Sequence, residues 1–420
     1  VTSTVDTFAP ALKTIYAKVL KEPLYAPSTF FEMIKKVTNF GGEDMVIPLR
    51  YSPEPGGSAT FARALANRGP SNYTRFRLTR ARDYVTASIT TELLRAAANK
   101  NNAETHVIPA LESIMRGMRN TSARSLSNAI YGNGGGARAQ VLSGVGTSTI
   151  TLKNPKDIVW FEVGMQLDGS STDGTSGSVT VGGASSVITA INRDLGQLTN
   201  NGAANWNAAA GINSLAADWY LFRGGDFGAV LTGAGGWIPD TVTSSPFFGV
   251  NRSVDGERLA GSRITPSTTG YTYSTVEGAC LAILERLFLA GGKPDHIFLH
   301  PQRFRRLLEE LGAKRVYSQE AKVKSPAGVS FPGVVVHGQG GECVVLSDPC
   351  CPRDTGFAVT LDTWCLYTLG EPMSIFDDNN KQIMLTEGSD DALQLRMVTY
   401  GNFACDAPAY NGRFSLAGID

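Results

Sequence analysis

Lysine is missing from residues 37–99, yet the same stretch carries eight arginines: Arg50, Arg63, Arg68, Arg75, Arg77, Arg80, Arg82 and Arg95. An all-guanidinium segment suits planar, two-pronged pairing with carboxylates better than it suits a casually solvated loop. Charge is scarce elsewhere: only 18% of residues are charged, and Lys+Arg and Asp+Glu balance at 38 each. That balance excludes the electrostatic footprint of a dedicated nucleic-acid binder. A charge-poor surface also fits a chain that covers much of itself with partners. Residues 1–6 lack the basic and apolar regions of a signal peptide. No apolar run is long enough to span a membrane. The six cysteines (Cys280, Cys343, Cys350, Cys351, Cys365 and Cys405) form no CxxC pair and no framework spacing. They read as reduced cytoplasmic thiols.

What is present begins with size, since 420 residues can bury a substantial core and fill two or more domains. Residues 10–37 read as two short helices separated by Pro23 and Pro27, the second opened by a capping box of Thr29 and Glu32. With little apolar surface of its own, this part reads as an N-terminal arm, residues 1–44. Next, Met45, Ile47, Leu49 and Tyr51 alternate against Val46, Pro48 and Arg50, and Tyr73 to Leu78 resume the strand pattern. Residues 45–90 therefore form an extended hairpin, and Pro48 places it at an edge or in an isolated ribbon.

A helix follows within residues 91–136. Its stripe is Val107, Ile108, Leu111, Ile114, Met115, Met118, Leu126, Ala129 and Ile130, and the glycines of 132–136 stop it. Residues 137–225 turn rich in Gly, Ser, Thr and Asn. Short runs at 149–152, 158–163, 179–181 and 187–191 predict an inserted antiparallel β-domain. Within residues 226–371, Ser274 and Glu277 form a second capping box. The helix behind them has Val276, Ala279, Cys280, Ile283, Leu284 and Leu287 on one face, and a strand at 297–299 precedes a helix at 302–311. In residues 372–420, runs 382–386 and 393–400 read as a hairpin with Leu393, Leu395 and Met397 on one face. A long helix over a long antiparallel ribbon makes the class α+β.

Chemistry-bearing motifs do not assemble into a site. His296 and His300 bracket one strand, but a metal needs a third ligand and only His106 and His337 remain among the histidines. Cys350 and Cys351 lack a neighbouring His and Asp/Asn signature. The 132–136 glycines follow a helix where a phosphate loop must follow a strand, and Gly292-Lys293 runs into Pro294. No catalytic, metal or cofactor residue is expected, and the chain reads as a non-enzyme. Tyr73, Phe76 and Tyr84 interleave with the arginines, as in a base-stacking surface. Protein–protein pairing is the stronger reading, because Glu43, Asp44, Glu54, Asp83 and Glu92 dilute the charge.

The order of parts resembles the major capsid protein of tailed bacteriophages, whose fold recurs in encapsulins and herpesvirus shells. The segments most similar to that family are Phe247-Phe248-Gly249-Val250-Asn251-Arg252-Ser253, Arg258-Leu259-Ala260-Gly261, and Arg396 to Asn402 followed by Cys405-Asp406-Ala407-Pro408. The resemblance covers nearly the whole chain outside 137–225. It implies an N-arm, an extended hairpin loop, a spine helix with a long β-ribbon, and an axial domain. It further implies hexamers and pentamers of one chain closing into an icosahedral head around double-stranded DNA, assembled in the host cytoplasm. Expected partners are further copies of itself, with scaffold, portal and decoration proteins, and DNA touched non-specifically on the inner face; no membrane is implied. The hairpin would reach over a neighbour, making Arg50, Arg63, Arg68, Arg75, Arg77, Arg80 and Arg82 the expected intersubunit residues. Some family members weld subunits through a hairpin lysine, and the matching segment here has none. The insertion is expected to make intercapsomer contacts. An encapsulin-type compartment and a β-rich tail or adhesin protein are the alternative readings.

Overall fold

A computed structural model of the chain describes residues 28–92, 110–265, 268, 270–312, 320–324, 330–375, 385–386 and 391–419. Two compact units emerge, Ala129–Thr241 and the combination of Val1–Asn128 with Val242–Asp420. The larger unit starts with α1 (Thr29–Met33), β1 (Lys35–Val37), β2 (Asp44–Ser52), α2 (Phe61–Ala66), β3 (Asn72–Thr79), β4 (Ala81–Thr90) and α3 (Ala110–Ala129). The smaller unit contributes β5 (Ala139–Ser143), β6 (Thr149–Leu152), β7 (Leu167–Ser170), β8 (Ala190–Asn192), β9 (Gln197–Thr199), β10 (Tyr220–Arg223) and α4 (Ala234–Trp237). Returning to the larger unit, the chain forms β11 (Ser262–Ile264), α5 (Val276–Leu289), β12 (His296–Leu299), α6 (Pro301–Gly312) and β13 (Glu320–Lys324). It closes with β14 (Ser330–Gly338), β15 (Gly341–Ser347), β16 (Thr355–Val359), β17 (Trp364–Thr368), β18 (Ser374–Ile375), β19 (Leu385–Thr386), β20 (Ala392–Cys405) and β21 (Gly412–Ser415).

The larger unit is built on two sheets and a separate ribbon. In the first sheet, β20 pairs antiparallel with β4 along Ala392–Gly401 and with β17 along Gly401–Cys405, while β1 lies parallel to β17. Ile89, Leu395 and Met397 meet Met118 of α3 there, with Ile114 and Met115 packed alongside. Polar groups fix the same contact: Ser122 and Ser125 of α3 donate to the buried Asp83 carboxylate at 3.0 and 2.9 Å. Val107, Ile108 and Pro109 lie outside the described residues. The ribbon at 382–386 is short where described, since only Leu385 and Thr386 pair with β20, whose main partner is β4.

Seven strands form the second sheet in the order β11-β21-β16-β12-β15-β14-β13. The predicted stripe of α5 is wholly buried against it. The N-cap of α5 is Thr275, one residue beyond the predicted Ser274, because the Thr275 hydroxyl reaches Gly278 N at 3.0 Å. Gly291 (φ +86°) closes the helix, and Gly292 N bonds to the Leu287 carbonyl at 2.8 Å.

The N-terminal segment differs from its sequence reading. Residues 28–34 are core, not arm. Phe30 stacks on Phe298 of the second sheet at 4.8 Å and meets Trp364 of the first edge-on at 5.6 Å. Ser28, not Thr29, caps α1, its hydroxyl accepting from Phe31 N at 3.3 Å. The buried Asp348 carboxylate holds this end by accepting from the Ser28 hydroxyl at 2.7 Å and from Phe30 N at 2.9 Å. Asp348→Ala removes the acceptor of both donors and of Cys350 N, which bonds to the same carboxylate at 2.8 Å, and is expected to cost about 2–4 kcal/mol. Hydrogen exchange should then show the amides of residues 29–34 opening before those of α5; unchanged protection there would refute the clamp.

The smaller unit is a six-stranded antiparallel sheet in the order β7-β10-β5-β6-β9-β8. Its core includes Val141, Ile150, Phe161, Leu198 and Trp206. The run at 158–163, predicted as a strand, enters instead through a 3-10 turn over Pro155–Trp160. Pro155 presets the first turn and the Asn154 side chain caps Lys156 N, so Ile158 and Phe161 are buried by three-residue spacing. Of the run 179–181, only Thr180 bridges, to Gly169.

Candidate intersubunit surface

β2 and β3 form a two-stranded ribbon in the register Asp44↔Thr79 to Arg50↔Tyr73, with a bulge before Ser52. Pro48 costs nothing in such a ribbon, having no inner ladder to interrupt. One face carries Met45, Ile47 and Leu49 with Thr74, Phe76 and Leu78; Ile47, Phe76 and Leu78 are buried. The opposite face carries Val46, Pro48 and Arg50 with Tyr73, Arg75 and Arg77, and is exposed apart from local pairs.

The buried face rests on the segment the sequence singled out. Phe247 and Val250 exchange backbone hydrogen bonds at 2.9 and 3.0 Å around Phe248 (φ +46°) and Gly249 (φ +83°), the signature of a two-residue turn with both φ positive. The Phe248 carbonyl accepts from Arg77 N at 2.9 Å, and Phe247 meets Phe76 at 6.4 Å. Behind it, the buried Arg252 guanidinium lies 3.8 Å from the Phe247 ring. Burial, with the positive charge of Arg263, pushes the Arg252 pKa down to about 10. Arg258 adds a hydrogen bond to the Tyr51 carbonyl at 2.6 Å. The ribbon is thereby tied to residues 247–258 of its own chain.

The seven expected contact residues divide into two sets. Arg50 pairs with Glu54 at 2.9 Å, Arg77 stands 4.0 Å from Asp44, and Arg80 donates to the Phe40 carbonyl at 3.3 Å. The Ser71 hydroxyl, with help from Arg50, holds the Glu54 carboxyl below its ordinary range. Arg63, Arg68, Arg75 and Arg82 are exposed, and among the described residues none has a carboxylate within ion-pair distance. Arg95 lies outside the described residues. Asp83 does not dilute this surface, being buried under α3. Between the strands, α2 buries none of its residues and leaves Phe61 82% exposed.

The remaining motifs sit elsewhere and take structural places. His300 Nδ1 accepts from Gln302 N at 3.2 Å at the start of α6, and His296 stands 3.3 Å from Asp295. All six cysteines are buried and unbridged, and burial pushes the Cys280 and Cys405 thiols up to about 12. The 132–136 loop is a close backbone approach: a Cβ on Gly135 would sit 2.1 Å from the Asp173 carbonyl oxygen. Among the described residues, no three His, Cys, Asp or Glu side chains are placed to hold a metal, and no helix is long and apolar enough to cross a membrane.

With this geometry in place, the fold has the architecture of a phage major capsid protein. One solved structure with this likeness is the capsid asymmetric unit of Cyanophage A-1(L), at TM-score 0.53 and 11% identity, covering 97% of this chain and 98% of that one. Two others match over similar spans: the holo-SrpI encapsulin complex from Synechococcus elongatus (TM-score 0.47, 8% identity, 99% and 96% covered) and Mycobacterium phage Ogopogo (0.43, 9%, 98% and 98%). No protein-family model and no curated protein matches the sequence.

Proposed function

We propose that this chain is a major capsid protein. Copies of it assemble as hexamers and pentamers into the icosahedral head of a phage virion, enclosing double-stranded DNA. Its role is structural, not catalytic, and its chief partner is itself; scaffold, portal and decoration proteins complete the assembly in the host cytoplasm. The reading is supported by fold likeness over 97% of the chain to a phage capsid structure, joined to exposed arginines (Arg63, Arg68, Arg75 and Arg82) that have no carboxylate partner among the described residues. Head-to-tail contacts of one such arm on the next copy close into rings. The smaller β-unit adds intercapsomer contacts, so shells lacking residues 137–225 should lose heat resistance.

Negative-stain microscopy of the purified chain should reveal closed shells. Monomers alone, or trimeric fibres, would overturn the reading. Nuclease-protected DNA inside the particles supports a head, whereas enclosed cargo protein would mark an encapsulin-type compartment. Because residues 37–99 hold no lysine, intact particles should run on a denaturing gel as monomer, and a ladder of covalent multimers would contradict a shell locked by contacts.

A further inference from the structure

Three asparagines of this chain precede a glycine: Asn133, Asn201 and Asn411. Such a pair is open to reaction with itself, because glycine leaves the next backbone nitrogen uncrowded and able to turn toward the side-chain amide. The fold treats the three differently.

Asn411 is fully buried and bonded at both ends of its amide, Oδ1 to Thr360 N and Trp364 Nε1, Nδ2 to Thr363 and Ala407. Gly412 is fixed between β11 and β16. Asn133 is partly buried, and its Oδ1 accepts from Gly135 N at 3.0 Å. Its Nδ2 donates to the Asp173 carboxylate at 2.6 Å, a charge-assisted bond that tethers the nitrogen which would have to leave.

Asn201 shares the fold-back of Asn133 without the burial or the tether. Asn201 and Gly202 are both exposed, and nothing lies within 4 Å of where a Cβ on Gly202 would stand. Asn201 Oδ1 accepts from Ala203 N at 3.1 Å, which brings the side-chain carbonyl back over its own following backbone. The same N–H is in place for the negative charge that this oxygen gains when its carbon is attacked. Gly202 N donates to Asn200 Oδ1 at 2.9 Å, and the buried Asn200 is anchored in turn through Nδ2 to the Ala204 carbonyl at 2.9 Å. Asn201 Nδ2 has no partner among the described residues.

We propose that Asn201 is a self-modifying site in the smaller unit. Gly202 N, giving up its proton to hydroxide, bonds to Asn201 Cγ. The Cγ–Nδ2 bond then breaks, and the nitrogen leaves as ammonia with a proton taken from water. Water adds to either carbonyl of the resulting five-membered imide and opens it to aspartate or isoaspartate. No electron changes hands. Each event sets a carboxylate into residues 195–217, which otherwise hold no charged side chain, and takes the chain below its formal net charge of +0. The inference concerns the smaller unit by itself and does not depend on how copies assemble.

The purified chain, held at mildly alkaline pH and digested at intervals, reports each asparagine by mass spectrometry. In the folded chain the Asn201 peptide should convert at least about tenfold faster than those of Asn133 and Asn411, and an isoaspartyl methyltransferase should label it. In urea the three rates should converge, since the residue pair is the same in each. Equal rates in the folded chain, or a ranking that urea leaves unchanged, overturns the proposal. Isoelectric focusing should also show an acidic band growing in the native chain and absent from Asn201→Gln, whose longer side chain does not close the same ring. An equal acidic band in that variant would likewise overturn it.

Discussion

Asn411→Ala is expected to destabilise the unassembled chain by about 4 kcal/mol, the largest effect of any single polar substitution proposed for it. The Asn411 side chain is fully buried. Its Oδ1 accepts from Thr360 N at 2.8 Å and from the indole Nε1 of Trp364 at 2.9 Å. Its Nδ2 donates to the Thr363 hydroxyl and to the Ala407 carbonyl, both at 2.9 Å, with Cys405 Sγ at 3.3 Å. One amide therefore joins the start of β17, the end of β20 and the approach to β21, three strands drawn from the two sheets of the larger unit. Truncation strands one buried N–H donor, the Trp364 indole, and one partly buried donor, Thr360 N, at about 1–3 kcal/mol each, and removes the two bonds that Nδ2 donates. The exposed Asn251, whose side chain accepts from Ser253 N at 3.0 Å, is the control; its alanine variant should lose about 1 kcal/mol or less. Urea unfolding followed by circular dichroism compares the two. Equal midpoints for both variants would sink the claim.

Replacing Arg63, Arg68, Arg75 and Arg82 together by alanine is expected to act in the opposite way. None of the four has a carboxylate partner among the described residues of its own chain, so stability of the unassembled chain should move by less than about 1 kcal/mol. Shell yield should fall by roughly a hundredfold, because in the proposed assembly each guanidinium removed is a charge-assisted contact to a neighbour. The matching lysine variant keeps the charge but loses the planar fork, and should assemble only at lower salt. Sedimentation velocity separates shells from free subunits in each case. Full assembly of the alanine variant would remove the arginines from the interface.

Much of this arrangement was legible in the sequence because the relevant signals are local. Alternation at Met45, Ile47 and Leu49 marks the hairpin's buried face, and the α5 stripe from Val276 to Leu287 is buried residue for residue. What escaped is set by distant partners. Phe30 and Phe31 make too short a stripe to read as core, and only Phe298, Trp364 and Phe403 turn them into a wedge. Residues 81–90 follow the hairpin without a break, so nothing local separates them from it. Their pairing with β20 is a long-range event, as is the burial of Asp83 beneath two serines of α3. Asn411, between Tyr410 and Gly412, has the composition of a turn and gives no local hint of its five contacts. The arginines could be named from sequence, but which of them lack partners could not, since Asp44 and Glu54 occupy Arg77 and Arg50 only once the ribbon's register is fixed.

The most direct test of a shell locked by hairpin arms is an electron cryomicroscopy map of particles assembled from the purified chain. The expected map has the β2–β3 ribbon crossing a subunit boundary, with guanidinium density from Arg63, Arg68, Arg75 or Arg82 against a neighbour's carboxylates and no covalent link between chains. A ribbon folded back on its own subunit, with those arginines facing solvent, would contradict it.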